Sequence, residues 1–320
     1  MPKTQLKTAQ LGNTGLEITR IGFGAWAIGG GDWEFGWGPQ EDEESIAAIH
    51  HALEQGISWI DTAAGYGFGR SERVIGRALE GVRERPYLFT KCSLLEGEGR
   101  RVVHSLKRDS VRREAQASLE RLGVEAIDLY QIHWPIPDED IEEGWSALVE
   151  LKEEGVVRHI GVSNFNVSQL RRIQSIAPVE TLQPQYSLIA REVEREVLPF
   201  AQSEGIGVIV YSPMGSGMLT GKMTRARVEQ LADDDWRKRD ARFREPQLSG
   251  NLELVARLTA VADRHGTTPG AVAVAWTLRN PAVDGAIVGF RRPDQVDPIL
   301  AAANLELTAE DVNTIEGSTR

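Results

Sequence analysis

The strongest constraint on the fold is a unit that recurs along the chain: a charged amphipathic segment, a glycine, and then a short apolar run. It is seen in ALEQG-ISWID, RLG-VEAIDLY, LKEEG-VVRHIGV and SEG-IGVIVY. Glycine just past a helix readily takes the left-handed conformation that closes the last turn. The glycines of the unit are Gly56, Gly81, Gly123, Gly155 and Gly205. The pattern therefore predicts helices that alternate with strands.

The segments before these glycines carry apolar residues that are spaced for one helix face. Such sets are Ile46, Ile49 and Leu53; Val111, Ala115 and Leu122; and Ile141, Trp145 and Leu148. The runs after the glycines are almost continuously apolar, which is typical of parallel strands covered on both faces. Eight strands are predicted, at about 20–25, 57–61, 87–91, 126–132, 157–162, 181–184, 206–211 and 284–288.

Eight strand–helix units in 320 residues favour an α/β fold, a closed (β/α)8 TIM barrel. An open doubly wound sheet is the alternative, but it usually begins with a strand and a G-x-G-x-x-G turn, which does not follow the first strand here. Strand-like pieces around residues 12–15 predict an N-terminal β-hairpin across one mouth of the barrel. Residues 212–250 are predicted to form a loop over the other mouth. No linker is evident, so residues 1–320 are predicted to form a single domain.

Composition limits the partners of the chain. The net charge of −11 argues against nucleic acid, because a phosphate-binding surface normally needs a basic excess. The longest apolar runs are too short to span a bilayer, so no membrane partner is expected. The single cysteine, Cys92, and an N-terminus without a secretion signal favour a cytoplasmic location. No His, Cys and carboxylate cluster has metal-site spacing, so no metal is expected.

Function in such a barrel gathers where the strands end. The chemically capable residues at or just after these ends are Asp61, Tyr66, Lys91, His133, Ser163, Asn164, Gln185 and Tyr211. Each of them alone is more often structural than catalytic, since position in a fold is only an association. Because consecutive strands end at one rim, however, these side chains are expected to converge there.

Such a convergence favours proton transfer by a tyrosine. A tyrosine with an ordinary pKa of about 10 is a poor acid or base at neutral pH. A neighbouring cation favours the phenolate, so Lys91 is expected to lower the pKa of Tyr66, and Asp61 is expected to hold Lys91 in place. His133 is expected to orient a carbonyl oxygen or to help move a proton. The set suits general acid catalysis beside a hydride cofactor.

Eight motifs extend this interpretation: GFGAWAIGG, WIDTAAGYG, FTKC, DLYQIHWP, IGVSNF, QPQYSLI, VIVYSPMGSGMLTGK and AIVGFRRPDQ. Through them, in this order and over nearly the whole chain, the sequence resembles the aldo-keto reductases, specifically the bacterial branch related to the potassium-channel β subunits. The resemblance implies a catalytic tetrad of Asp61, Tyr66, Lys91 and His133. It also implies a nicotinamide cofactor that lies across the rim, without a Rossmann fold.

The resemblance further implies which residues hold the ligands. The implied cofactor contacts are Gly24, Ala25, Trp26, Asp61, Ser163, Asn164, Gln185, Tyr211, Ser212, Pro213, Met214, Gly215, Ser216, Gly217, Leu219, Gly289, Arg291 and Gln295. Among them, segment 212–219 is expected to wrap the pyrophosphate, because small residues let backbone amides reach phosphate oxygens. The implied substrate contacts are Trp26, Tyr66, His133 and Trp134.

Two arginines, Arg291 and Arg292, follow the last strand, and guanidinium groups suit a 2′-phosphate, so NADP(H) is favoured over NAD(H). The predicted function is therefore NADP-dependent reduction of aldehydes or ketones to alcohols, with a small carbonyl or alcohol molecule as partner. A homo-oligomer is left open. One alternative is an NADP(H)-binding, redox-sensing or regulatory subunit with little turnover. A second is a barrel hydrolase or isomerase, which would not bind nicotinamide.

Overall fold

The computed structural model describes residues 5–232 and 235–317. The strands in these ranges are β1 (Thr8–Gln10), β2 (Glu17–Thr19), β3 (Ile21–Gly24), β4 (Trp59–Asp61), β5 (Tyr87–Cys92), β6 (Leu94–Glu96), β7 (Val102–His104), β8 (Ile127–Ile132), β9 (Val157–Ser163), β10 (Thr181–Gln183), β11 (Gly207–Tyr211) and β12 (Gly285–Gly289). The α-helices are α1 (Asp42–Glu54), α2 (Arg70–Ala78), α3 (Arg108–Leu122), α4 (Ile141–Glu153), α5 (Val167–Gln174), α6 (Val197–Glu204), α7 (Arg225–Glu229), α8 (Gln247–His265), α9 (Pro269–Leu278), α10 (Asp297–Leu300) and α11 (Ala309–Glu316).

Eight parallel strands form a closed barrel in the order β3, β4, β5, β8, β9, β10, β11, β12. The last strand pairs with the first, with Ile287 opposite Gly22, and this pairing closes the cylinder. Helices alternate with the strands, so the predicted (β/α)8 TIM barrel is confirmed. Each of the eight predicted strands is present, with its ends within two residues of the prediction.

The helices pack on the outside of the barrel through the faces that their sequence spacing predicts. Ile49 of α1, Val111 of α3 and Trp145 of α4 are fully buried in the main core. The glycines at the helix ends adopt positive φ angles, as at Gly123 after α3 (φ 66°). The glycines therefore end the helices where the sequence predicts, and the barrel strands follow them in the chain.

The N-terminal mouth of the barrel is closed by the predicted hairpin. Strands β1 and β2 pair antiparallel, with Thr8 opposite Thr19. Leu11 and Ile18 of the hairpin pack against Trp59 inside the barrel. The interior cluster consists of Leu11, Ile18, Trp59, Phe89, Leu129, Ile209 and Ile287. The hairpin thereby covers apolar side chains that the barrel alone would leave open to water.

The expectation that residues 212–250 form one loop is wrong in part. The segment contains 3-10 turns at Gly215–Thr220, Trp236–Arg239 and Ala241–Phe243, as well as the short helix α7. Local caps explain the turns, because Thr224 accepts from the backbone of Arg227, and Asp240 accepts from that of Arg242. Residues 233 and 234 of this segment lie outside the described residues.

A second antiparallel hairpin, β6–β7, lies between β5 and α3, and the sequence analysis missed it. Across the described helices, none combines the length and hydropathy needed to cross a bilayer. The single-domain organisation stays a prediction.

Candidate active site

Three neighbouring barrel strands, β4, β5 and β8, bring the predicted tetrad together at the C-terminal rim of the barrel. Asp61 ends β4, Lys91 lies near the end of β5, His133 follows β8, and Tyr66 lies on the loop after β4. The Lys91 ammonium (Nζ) donates to Asp61 Oδ1 at 2.6 Å, and it lies 5.2 Å from the centroid of the Tyr66 ring. The Tyr66 and His133 ring centroids are 5.5 Å apart, with the rings nearly perpendicular.

Asp61 and Lys91 form a buried ion pair. Asp61 also accepts from Gln183 Nε2 at 2.8 Å, and Lys91 also donates to the Thr62 carbonyl at 2.8 Å. Burial raises the pKa of the Asp61 carboxyl and lowers the pKa of the Lys91 ammonium, while their mutual attraction opposes both shifts. Because Asp61 is contacted by donors and Lys91 by acceptors, the contacts match the charged forms. Among the described residues Lys91 has these two hydrogen-bond acceptors, which leaves the third N–H of its ammonium for a further acceptor.

The expected lowering of the Tyr66 pKa is wrong. The pKa of the phenol lies well above its ordinary value, because burial disfavours the phenolate and the negative charge of Asp61 adds to that effect. Burial of the site was not readable from the sequence, and it outweighs the neighbouring ammonium. Tyr66 is therefore a phenol at neutral pH and holds a proton that it can donate.

His133 is a neutral imidazole at neutral pH. Burial and the positive charge of Lys91 set the pKa of His133 well below its ordinary value. Its Nδ1 atom is buried and has no hydrogen-bond partner among the described residues. A neutral ring donates from one nitrogen and accepts at the other, so it can hold a carbonyl oxygen without carrying a charge.

A hydrogen-bonded chain continues from His133 along the rim. Asn164 Nδ2 donates to the His133 carbonyl at 3.0 Å, and Tyr211 Oη donates to Asn164 Oδ1 at 2.8 Å. Ser163 Oγ donates to the Gln183 carbonyl at 2.7 Å. Gln185 joins the chain through a β-bridge to Tyr211. These four predicted cofactor contacts are therefore contiguous with the tetrad.

The end of the first barrel strand lies beside the tetrad. Gly24 pairs in register with Asp61, and the Ala25 amide donates to the Asp61 carbonyl at 2.9 Å. The Trp26 ring stacks on the Tyr66 ring with centroids 6.3 Å apart. Trp134, which is 37% exposed, has no ring contact with the tetrad in the described part of the chain, although its amide donates to Ser93 Oγ.

Segment 212–219 follows β11 and curls tightly. Ser212, Gly215, Ser216 and Gly217 all have positive φ angles. Such left-handed residues turn backbone N–H groups into anion-binding concavities. The Ser216 hydroxyl is buried with no hydrogen-bond partner in the described ranges. Pro213 and Met214 lie in the same curl, and Leu219 is buried in the core.

The residues after β12 are tied to one another and to the loop before α1. Gln295 Oε1 accepts from the amides of Arg291 (2.7 Å) and Arg292 (3.2 Å). This side-chain oxygen therefore stabilises the turn formed by residues 291–295. The Arg291 guanidinium donates to Gln40 Oε1 at 2.6 Å and to the carbonyls of Trp37 and Pro39.

The other two residues near this turn reach the surface. Arg292 pairs with Asp294 at 3.0 Å, and Gly289 is exposed at the end of β12. The structure therefore brings together Gly289, Arg291 and Gln295, three of the predicted cofactor contacts, but the side chains of Arg291 and Gln295 are largely engaged within the protein.

Sequence reasoning missed the side chains that segment 235–243 brings to the rim. The Trp236 ring stacks on Trp26 with centroids 5.4 Å apart, and the Arg237 guanidinium lies 4.7 Å from the Trp37 ring centroid. Trp236 Nε1 and Arg242 Nη1 are buried donors without acceptors among the described residues. The only signal was compositional, in the dense aromatic and basic run WRKRDARFR.

The β6–β7 hairpin forms a further wall that sequence reasoning missed. The Arg100 guanidinium lies 5.4 Å from the ring centroid of Phe68, and Phe68 lies on the loop that also carries Tyr66. The Val102 amide donates to Glu34 Oε2 at 3.0 Å. These contacts tie the hairpin to two of the rim loops.

The chain matches the sequence profile of the Aldo/keto reductase family over residues 20–320. It belongs to this family. Its sequence is 38% identical over 316 residues to the aldo-keto reductase YhdN of Bacillus subtilis (strain 168), covering 97% of this chain and 93% of that protein. It is 34% identical over 320 residues to the NADH-specific methylglyoxal reductase of Escherichia coli (strain K12), covering 96% of each.

Solved structures agree with this assignment. A glycerol dehydrogenase from Gluconobacter oxydans superposes with a TM-score of 0.88 at 35% identity, covering 97% of this chain and 94% of that chain. A thermostable aldo-keto reductase, solved with the inhibitor epalrestat, superposes with a TM-score of 0.76 at 30% identity, covering 98% of this chain and 99% of that one. The present protein, with its sequence of 320 residues, is thus an oxidoreductase, and it belongs to a family that reduces carbonyl groups with nicotinamide cofactors.

Proposed function

We propose that this aldo-keto reductase is an NADP-dependent enzyme that reduces small aldehydes or ketones to alcohols, with Tyr66 as the general acid. The observation that carries the proposal is the buried Asp61–Lys91 ion pair beside a protonated Tyr66 and a neutral His133. The four groups perform complementary tasks that carbonyl reduction needs, and they lie in one place.

The protein's own part in the reaction is to place and move a proton. Tyr66 keeps its proton at neutral pH and donates it to the carbonyl oxygen as that oxygen gains negative charge. Lys91 places its positive charge beside the ring of Tyr66, where it stabilises the phenolate that results, and Asp61 holds Lys91 in that position. His133, uncharged, holds the substrate oxygen. The nicotinamide supplies the hydride when it is bound.

The residues around the rim fit a phosphate-bearing cofactor. The Ser216 hydroxyl, Trp236 Nε1 and Arg242 Nη1 are buried donors without acceptors in the described part of the chain, and such donors are expensive to leave unpaired. Arg237, which pairs with Asp235 at 2.6 Å, lies beside Gly217 of the curled segment 212–219, and its guanidinium suits a pyrophosphate.

The residues proposed to hold the cofactor are Gly24, Ala25, Trp26, Asp61, Ser163, Asn164, Gln185, Tyr211, Ser212, Pro213, Met214, Gly215, Ser216, Gly217, Leu219, Gly289, Arg291 and Gln295. The proposed substrate contacts are Trp26, Tyr66, His133 and Trp134.

We propose NADP(H) rather than NAD(H) because Arg291 and Arg292 stand together after β12. Two of the five N–H groups of Arg291 lie outside its contacts with Gln40, Trp37 and Pro39, and guanidinium suits a 2′-phosphate. A relative named as NADH-specific makes the comparison of both cofactors the necessary test. The cytoplasmic location and homo-oligomerisation stay predictions from the sequence.

The test is a turnover assay of the purified protein with NADPH and with NADH against small aldehydes, sugars, pyridoxal and quinones. We expect loss of nicotinamide absorbance that depends on the carbonyl compound, with the larger kcat/KM for NADPH. Equal or greater efficiency with NADH would overturn the cofactor proposal. Tight NADPH binding without turnover of any carbonyl would overturn the enzymatic one and favour a redox-sensing subunit.

A further inference from the structure

A cavity lies at the end of the barrel opposite the active site. It has a volume of about 690 Å³ and is bounded by the N-terminal segment, the C-terminal end of α9 and the segment after α10. Arg20, which directly precedes β3, lines it. Since the tetrad lies at the other end of the strands, this cavity is separate from the catalytic rim.

One wall of the cavity is apolar and held in place by hydrogen bonds. The apolar lining consists of Leu6, Ala275, Leu278, Ala302, Ala303, Leu305 and Leu307. Asn304 fixes the N-terminal segment, because its Oδ1 accepts from the Lys7 amide at 2.9 Å and its Nδ2 donates to the Gln5 carbonyl at 3.0 Å. Leu278, Leu305 and Leu307 of this wall are partly exposed, and they offer a formed surface for a hydrocarbon group.

The charged lining is positive, although the whole chain carries a net charge of −11. Lys7, Arg20 and Arg279 line the cavity against one carboxylate, Glu306. Lys7 pairs with Glu306 at 2.5 Å. Neither arginine has a carboxylate within ion-pair distance in residues 5–232 and 235–317. Within the described residues, two guanidinium groups at one cavity are therefore without a salt bridge.

Arg20 is the more constrained of the two arginines. It is half-buried, and it donates to the Leu278 carbonyl at the end of α9, which uses one of its five N–H groups. The nearby Asp284 carboxylate accepts from the amides of Gly12 (3.1 Å) and Val208 (3.0 Å) through Oδ2. Its negative charge thus acts on Arg20 from a distance, without a salt bridge between them.

We propose that this cavity binds an organic anion with an apolar body, namely a medium-chain carboxylate. Its head group would lie between Arg20 and Arg279, and its chain would lie along Leu6 and Leu305. The apolar wall disfavours a fully polar anion, and the two unpaired guanidinium groups disfavour a neutral hydrocarbon.

The test measures binding of decanoate by isothermal titration calorimetry, using the full chain, with decanol as the uncharged probe. We expect saturable decanoate binding, and at least about tenfold weaker binding of decanol, which corresponds to about 1.4 kcal/mol. Decanol binding as tightly as decanoate, or no decanoate binding, overturns the proposal.

Localisation comes from charge reversal at an exposed position. Arg279→Glu reverses a charge at the cavity, and Arg83→Glu is its matched control, because Arg83 is exposed and does not line the cavity. We expect at least about tenfold weaker decanoate binding in the Arg279 variant and less than about twofold in the control. Equal effects, or none in the Arg279 variant, place the ligand elsewhere and overturn the proposal. Carbonyl reduction by Arg279→Glu is expected to be unchanged, so this test is independent of the proposed function.

Discussion

At the scale of single residues, the chemistry depends on burial. Asp61, Lys91 and His133 are buried and Tyr66 is partly buried, and loss of solvation shifts the pKa of each toward the uncharged form. The ion pair resists that shift, since breaking it would leave an uncompensated buried charge. The result is a phenol and an imidazole that are neutral, next to one retained cation.

Replacing Tyr66 by Phe tests the proton donor. We expect kcat for carbonyl reduction to fall by about 10²–10⁴, because the phenol supplies general acid catalysis, while NADPH affinity changes little. The ring is kept, so its stacking on Trp26 should persist. The measurement is steady-state kinetics, together with cofactor titration by tryptophan fluorescence.

Tyr87→Phe is the matched control for this variant, because Tyr87 begins the same strand that carries Lys91, away from the rim. Near-normal turnover in both variants would remove Tyr66 from the mechanism. A large loss in both would show that loss of a tyrosine hydroxyl away from the rim is enough to lower turnover, and the Tyr66 result would then not identify the proton donor.

The sequence predicted the tetrad because strand ends can be read from apolar runs, and residues at successive ends converge in a barrel. It could not predict the direction of the Tyr66 pKa shift, since the extent of burial is a property of the folded rim. Trp236 and Arg237 were missed because they reach the site by packing on Trp26 and Trp37, about 200 residues earlier in the chain.

At the scale of secondary structure, long regular elements were predictable and short ones were not. The eight barrel strands follow continuous apolar runs after glycines, a signal that is local. The β6–β7 strands have three residues each and surround the polar tip at Gly97, so their pattern is too short to recognise. The turns in 212–250 depend on individual side-chain caps, such as that of Thr224.

The turn after β12 and the loop before α1 act together through Arg291. We expect Arg291→Ala to weaken NADPH binding by about 10- to 100-fold and NADH binding far less, because a charge-assisted contact to the 2′-phosphate is lost. The measurement is the dissociation constant of each cofactor from fluorescence titration.

Gln40→Ala is the control for this prediction. It removes the partner of Arg291 Nε while keeping the guanidinium charge. Equal losses of NADPH and NADH affinity in the Arg291 variant would show that Arg291 only braces residues 37–40. A selective NADPH loss in the Gln40 variant would show that this brace positions the charge.

At the scale of the whole molecule, closure of the barrel couples its first strand to its last strand. Strand β12 pairs with β3, and Asp284, directly before β12, accepts from Gly12 of the hairpin and Val208 of β11. One carboxylate therefore joins the hairpin turn to neighbouring strands. Local opening of the hairpin would expose the interior cluster around Trp59.

We predict that Asp284→Ala lowers the free energy of unfolding by about 1–3 kcal/mol, because the amides of Gly12 and Val208 lose their shared, partly buried acceptor. Asp284→Asn, which keeps an acceptor oxygen, should lose less. Urea unfolding followed by far-ultraviolet circular dichroism and by tryptophan fluorescence measures both variants. Because the first and last barrel strands are paired, we expect coincident single transitions with unchanged slope and a lower midpoint. In the Asp284→Ala variant, a fluorescence transition that precedes the loss of helix would mean that the hairpin opens separately. It would contradict the prediction that the hairpin unfolds together with the first and last strands of the barrel.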